Sequence, residues 1–138
     1  MKFQPYLTFN GECEAAFKAY ESCFDGKITV SMTWGGGPMA KEMPSIMADK
    51  IMHATLNIGD AALSGGDVPP DQYQKPHGFE VLINLEGTDA ERAERIFKTL
   101  AEGGEIKVPL QQTFWATRFG TVVDRFGTPW TVNCGTQA

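Results

Sequence analysis

Cysteine is scarce in this chain: Cys13, Cys23 and Cys134 are all there is. An odd number without CxxC spacing excludes a disulfide framework and a cysteine zinc site. Cys13 and Cys23 fall on one expected helix and read as small core residues. Basic residues are few and scattered, 12 Lys and Arg against 17 Asp and Glu, for a net charge of −5. The chain therefore lacks the basic face that recruits phosphate backbones or anionic lipid. No apolar run nears the roughly twenty residues that span a bilayer, and Met1-Lys2-Phe3-Gln4-Pro5 has no apolar segment of the signal-peptide kind. The expectation is a cytoplasmic protein with no nucleic-acid and no membrane partner. No GK[ST] follows Gly35-Gly36-Gly37, which excludes a phosphate cradle. Ser64 and Thr55 lack the arrangement of a catalytic triad.

What is present is an ordinary globular composition, 42% hydrophobic and 21% charged over 138 residues, enough for one domain or two small halves sharing a core. Alternation predicts a strand over 4–9, with Pro5, Leu7 and Phe9 on one face. Asn10 is a candidate helix cap, and Cys13, Ala16, Phe17, Tyr20 and Phe24 follow at helical spacing, with Gly26 as the stop. Strands are predicted over 28–34, 50–58 and 61–64, the last two joined by the hairpin signal Gly59-Asp60. The order then repeats. Val81, Ile83 and Leu85 alternate. Thr88 and Glu91 form a capping box ahead of the stripe Ala93, Ile96, Phe97 and Leu100. Strands follow over 106–110, 119–124 and 128–133. Segment 25–30 matches 103–108 in pattern, and 5–11 matches 81–87. The expected organisation is a first module over 1–67, a linker over 68–78 containing Pro69-Pro70 and Pro76, and a second module over 79–138.

Three segments carry a family resemblance: Pro5-Tyr6-Leu7-Thr8-Phe9-Asn10-Gly11, Ile51-Met52-His53-Ala54-Thr55-Leu56, and the stretch from Thr113-Phe114-Trp115-Ala116 through Phe119-Gly120, Asp124 and Phe126-Gly127 to Trp130. Together they resemble the vicinal oxygen chelate superfamily of glyoxalases, bleomycin-resistance proteins and extradiol dioxygenases, and within it the PhnB-like branch. The resemblance implies an α+β fold of paired βαβββ modules, a curved eight-stranded sheet around a cup, and a homodimer. Families of this type are sometimes labelled methyltransferases, but no Gly-rich loop follows a strand here as cofactor binding would require.

In a sheet covered by helices on one side, the apolar face of each strand packs on the helices and the other faces the cup. This leaves Gln4, Tyr6 and Thr8 on the first strand and Ile51, His53, Thr55 and Asn57 on the third. Glu80, Leu82 and Asn84 follow on the fifth, and Thr131 and Asn133 on the last. The resemblance places metal ligands, where members have them, at Gln4, Thr55, Glu80 and Thr131. Two threonines, one amide and one carboxylate make a poor site for a divalent ion. The expectation is no cofactor, with weak metal binding through Gln4 and Glu80 left open.

Tyr6, Thr55, Trp115 and Arg118 are the candidate ligand-binding residues, and Glu80 and His53 the candidate proton-transfer groups. Each has a plainer reading: His53 as a hydrogen-bonded polar residue, Glu80 as a surface carboxylate, Arg118 as the ion partner of an acid such as Asp124, and Trp115 and Trp34 as buried rings. Residues 35–45, with Met39, Met43 and Met47 nearby, suggest a flap over the cup. The expected function is binding of a small organic molecule, with or without its transformation, in a metal-poor cup. The alternatives are a metal-dependent lyase or isomerase of the glyoxalase type, stabilising an enediolate through a divalent ion, and a protein that sequesters a drug or metabolite.

Overall fold

The computed structural model describes residues 1–135. Contacts divide the chain into two compact units, Met1–Gln74 and Lys75 onward, and each is a βαβββ module. The first contains β1 (Tyr6–Phe9), α1 (Cys13–Phe24), β2 (Lys27–Thr33), β3 (Ile51–Ile58) and β4 (Ala61–Asp67). The second contains β5 (Val81–Leu85), α2 (Ala90–Ala101), β6 (Glu105–Gln111), β7 (Arg118–Val123) and β8 (Pro129–Cys134). The eight strands form two four-stranded mixed sheets, ordered β1-β4-β3-β2 and β5-β8-β7-β6. In each, only the first strand runs parallel to its neighbour.

The duplication seen in sequence extends to the register of the central rows, and it ends at the second irregularity, where the extra residue lies on β3 in the first sheet and on β6 in the second. In the first sheet one row runs Tyr6, Ser64, Thr55, Val30. In the second the matching row runs Leu82, Thr131, Thr121, Val108. Both carry a bulge at the same place. Ile28 and Val30 face Leu56 and Thr55 with Thr29 as the extra residue, and Ile106 and Val108 face Val122 and Thr121 with Lys107 extra. A bulge flips the side-chain alternation beyond it, so its recurrence keeps the same residues on the same face in both modules. The register also separates Thr55 from Thr131. The partner of Thr131 in the repeat is Ser64, and that of Thr55 is Thr121.

Each helix buries its apolar stripe against one face of its own sheet. Leu7, Phe9, Ala16, Phe17, Tyr20, Ala54 and Leu56 are buried in the first unit, with rings of Phe9, Phe17, Tyr20 and Phe24 in successive contact at 6.0–6.1 Å. In the second unit Ile96, Phe97, Val122, Trp130 and Val132 do the same. Each such side chain contributes roughly 1.5–3 kcal/mol. All three cysteines are free and buried.

Helix ends depart from the sequence expectation. Neither Asn10 nor Thr88 caps a helix: α1 and α2 have Glu12 and Asp89 at that position, with no side-chain cap bond. Instead Asp67, at the end of β4, reaches the start of α1, where its Oδ1 accepts from the Cys13 amide at 3.0 Å. Its Oδ2 accepts from the Ile51 amide at 2.9 Å. At the C-terminus of α1, Asp25 rather than Gly26 takes the left-handed conformation, with φ 55°. Ile51 lies in the core and not on the open face, because the register shifts between its pairing with Thr33 and that of His53 with Met32, leaving Met52 as the extra residue. Residues 35–50 form short turns, including 3-10 turns at Ala40–Glu42 and Ser45–Met47. Met47 is buried at 2% exposure, so it serves the core and not a lid.

Candidate functional site

The face of the first sheet opposite α1 carries a connected set of polar side chains. Period-two alternation brings them there: Leu7 and Phe9 of β1 point to the helix, which turns Tyr6 and Thr8 outward. Ala54 and Leu56 of β3 do the same for His53 and Thr55. Ser64 of β4 sits between Tyr6 and Thr55 in the row.

Four of these groups form a chain of hydrogen bonds. Gln4 Nε2 donates to Ser64 Oγ at 2.7 Å. Ser64 Oγ lies 2.9 Å from Thr55 Oγ1, which lies 3.3 Å from His53 Nε2. The Tyr6 ring stacks on the His53 ring at 5.8 Å with 20° between planes. Its hydroxyl reaches over Gly66 to donate to the Met52 carbonyl at 3.4 Å. A Cβ at Gly66 would lie 2.5 Å from Met52 O and 3.0 Å from Tyr6 Oη, so glycine is needed for the tyrosine to lie there. Although Tyr6 is 54% exposed overall, burial of its hydroxyl end raises the phenol above its ordinary 10.0, with a smaller contribution from Cys13. Tyr6 is thus a neutral donor at physiological pH.

Of the candidate site residues, Tyr6, His53 and Thr55 are brought together, with Gln4 beside them. Ser64, which links them, was not among the candidates. Its signal lies in the strand: β4 continues through Gly65 and Gly66 to Asp67, whereas the two glycines read as a break. A Cβ at Gly65 would stand 2.6 Å from the Leu7 carbonyl oxygen and 3.0 Å from Phe17, so glycine permits close strand and helix approach there instead of ending the strand.

Glu80, Trp115 and Arg118 belong to the second unit, and its sheet keeps Glu80 apart from the other two. Glu80 precedes β5, whose first residue Val81 pairs with Trp130, while Arg118 pairs with Cys134, the partner of Leu85 at the other end of β5. Five residues of strand separate them by about 16 Å along the strand direction. Glu80 is exposed and borders a shallow depression of about 550 Å³ lined also by Lys75, His77, Glu105 and Lys107. Arg118 shares the helix-facing side with Gly120 and Val122, and its Nε donates to Glu94 Oε1 of α2 at 2.9 Å. The ion pair is therefore with Glu94 and not with Asp124. Asp124 instead accepts from Trp130 Nε1 at 2.9 Å and from the Phe126 and Thr128 amides, closing the β7–β8 turn. Trp115 is 40% exposed in the β6–β7 loop and packs edge-on against Phe119 at 5.1 Å. Trp34 is half-buried, with its Nε1 on the Asp67 carbonyl at 2.9 Å.

The donors that the first sheet offers a metal are an amide, two hydroxyls and one imidazole, with no carboxylate among them. Among the described residues no three His, Cys, Asp or Glu side chains come together in a ligating group. That donor set fits a divalent ion poorly, because hard and borderline cations draw on carboxylates or several imidazoles. The same set is well suited to passing a proton.

Comparison with known proteins places the chain. A family model described as 3-demethylubiquinone-9 3-methyltransferase matches residues 1–133. Protein YjdN of Escherichia coli (strain K12) is 32% identical over 141 residues, covering 96% of this chain and 95% of its own. The crystal structure of protein PA1353 from Pseudomonas aeruginosa is 40% identical, with a TM-score of 0.88 and 98% of each chain covered. The PhnB protein from Bacillus cereus is 23% identical, with a TM-score of 0.78 over 98% of this chain and 100% of that one. At that identity the likeness concerns the fold alone.

Proposed function

This chain belongs to the 3-demethylubiquinone-9 3-methyltransferase family of PhnB-like proteins, with the fold of the vicinal oxygen chelate superfamily, and from this membership we propose that it binds a small oxygen-bearing organic molecule on the open face of its first sheet and moves a proton there without a resident metal. One observation carries the reading: the unbroken chain from Gln4 through Ser64 and Thr55 to His53, with Tyr6 stacked on the imidazole. A carbonyl or hydroxyl oxygen placed over Ser64 would meet a hydroxyl wired to an imidazole. Histidine is the side chain suited to taking and returning a proton near neutral pH. Tyr6 would supply a ring wall and a neutral hydroxyl.

Proton chemistry is favoured over the methyl transfer that the family description names. The glycine stretch Gly35–Gly37 leads into three-residue turns, whereas a nucleotide cofactor site calls for a glycine turn opening a helix. Glu80 is not needed in this scheme. A homodimer remains part of the proposal, as the family resemblance implies.

The test uses hydroxyacetone as the probe, in D2O, with its α-hydrogen exchange followed by NMR. The protein should accelerate exchange over buffer, and His53→Ala and Ser64→Ala should each abolish the acceleration while remaining folded. Amide shifts on titration should centre on Tyr6, His53, Thr55 and Ser64. Exchange at the buffer rate with no shifts at those residues would overturn the reading.

A further inference from the structure

The open face of the second sheet carries a different chemistry, independent of the relay. Asn84, Asn133 and Phe119 stand side by side on β5, β8 and β7 in one row. All three point away from α2, since their strand neighbours Ile83, Val132 and Gly120 form the helix-facing row. Asn133 Nδ2 donates to Asn84 Oδ1 at 3.2 Å. This single bond uses one amide's donor and the other's acceptor. It leaves Asn84 Nδ2 as donor and Asn133 Oδ1 as acceptor on the same pair.

Next to the amides stands an aromatic ladder. Phe119 is directly opposite Asn133, at the cross-strand spacing of about 5 Å. Trp115 meets Phe119 at 5.1 Å, and Phe114 meets Trp115 at 4.7 Å, both edge-on. The ladder is held by a built turn. Thr113 Oγ1 accepts from the amides of Trp115 and Ala116 at 3.3 and 3.1 Å, the Thr113 amide donates to the Ala116 carbonyl, and Ala116 is fully buried. The turn thereby keeps Phe114 87% and Trp115 40% exposed. Large rings fixed in water beside a half-used amide pair match a ligand with a flat apolar face and one polar edge.

We propose that Asn84, Asn133, Phe119 and Trp115 form a second binding site, for a flat neutral heterocycle with a lactam or imide edge. The ring packs against Trp115 and Phe119. Its N–H donates to Asn133 Oδ1, and its adjacent C=O accepts from Asn84 Nδ2. No charge is involved, which distinguishes this class from cationic or phosphorylated ligands. In the first module the matching row begins Thr8 and Gly66, which offers no amide pair.

The probes are lumazine, a flat bicycle with imide edges, and 1,3-dimethyllumazine, which keeps the ring and loses the N–H donors. Binding is read by quenching of tryptophan fluorescence, with Trp115→Phe identifying the part due to that residue. Lumazine should bind the wild-type protein about tenfold more tightly than its dimethyl form, as expected for the one hydrogen bond lost with the N–H. Asn133→Ala should erase that preference while leaving dimethyllumazine binding unchanged, and Asn84→Ala, whose Nδ2 meets a carbonyl that both probes keep, should weaken both ligands and preserve the preference. Trp115→Ala should weaken both ligands together. Unchanged far-UV circular dichroism and melting temperature show that the variants are folded. Equal affinity of the wild-type protein for the two probes, or no quenching by either, would overturn the proposal. Failure of the hydroxyacetone experiment leaves this result untouched, since the residues and readout are separate.

Discussion

Ser64 and Thr55 stand opposite one another on β4 and β3, with their hydroxyl oxygens 2.9 Å apart. Gln4 Nε2 can only donate, so Ser64 Oγ accepts from it. Two directions then satisfy the rest of the chain. Either Ser64 donates to Thr55 and Thr55 to a bare His53 Nε2, or a protonated Nε2 donates to Thr55 and Thr55 to Ser64. In the first state Ser64 shows a ligand a lone pair. In the second its hydrogen is free and it acts as a donor. Whether Thr55 or His53 holds the hydrogen between them therefore decides what Ser64 offers.

The hydrogen-bond chain predicts that hydroxyacetone binding requires Thr55. Thr55→Val keeps the shape of the side chain and breaks the link from Ser64 to His53. It should weaken hydroxyacetone binding about fivefold to tenfold, one hydrogen bond's worth, read by NMR titration. A Thr55→Val protein with wild-type affinity would sink the relay.

Gly66 predicts a second effect on the same site. Adding a methyl group there forces a shift of Tyr6 or of the Met52 carbonyl. Gly66→Ala should cost about 1–3 kcal/mol by overpacking, and should release the Tyr6 ring from His53. Urea denaturation gives the first, and loss of ring-current shifts on the His53 protons gives the second. A variant with native stability and unchanged His53 resonances would contradict the close approach.

Much of this was legible in the sequence, for a physical reason: the repeat is carried by period-two and helical patterns that burial enforces directly. Tyr6, His53 and Thr55 were placed on one face because Leu7, Phe9, Ala54 and Leu56 leave them no other. What was not legible depends on partners distant in sequence. The α1 cap comes from Asp67, 54 residues beyond Cys13, so a local search settles on Asn10. Ser64 was hidden because Gly65-Gly66 looks like a turn, and its need for glycine comes from Leu7 and Phe17. Arg118 was grouped with Phe114 and Trp115 by nearness along the chain. Its side chain follows the parity of Gly120 and Val122 and reaches Glu94 instead.

Asp67 predicts a large cost on removal. Its carboxylate accepts from two amides, Cys13 at the start of α1 and Ile51 at the start of β3, and it is 2% exposed. Asp67→Ala leaves two buried N–H groups unsatisfied at about 1–3 kcal/mol each, so the expected loss is roughly 2–6 kcal/mol by urea denaturation. Asp67→Asn keeps one oxygen acceptor and should lose about half as much. Equal losses in both variants would mean that the negative charge at the helix start, and not the pair of bonds, is what matters.

Cys13 sets the behaviour in alkali. Burial, then the Asp67 carboxylate and Glu14, push its thiol from an ordinary 9.0 up to about 12. The folded state therefore holds this proton more tightly than the unfolded chain. The associated stability is complete below pH about 9 and is lost as pH rises towards about 12, at no more than about 1.4 kcal/mol per pH unit. Burial raises the Cys134 thiol in the same direction, so removing Cys13 should flatten the alkaline decline without abolishing it. Cys13→Ala should lose about 1 kcal/mol near neutrality from the deleted sulfur and then diverge favourably from the wild type above pH about 9. Denaturation midpoints measured across that range test the sign. Parallel curves for the two proteins would show that the Cys13 thiol does not couple to folding.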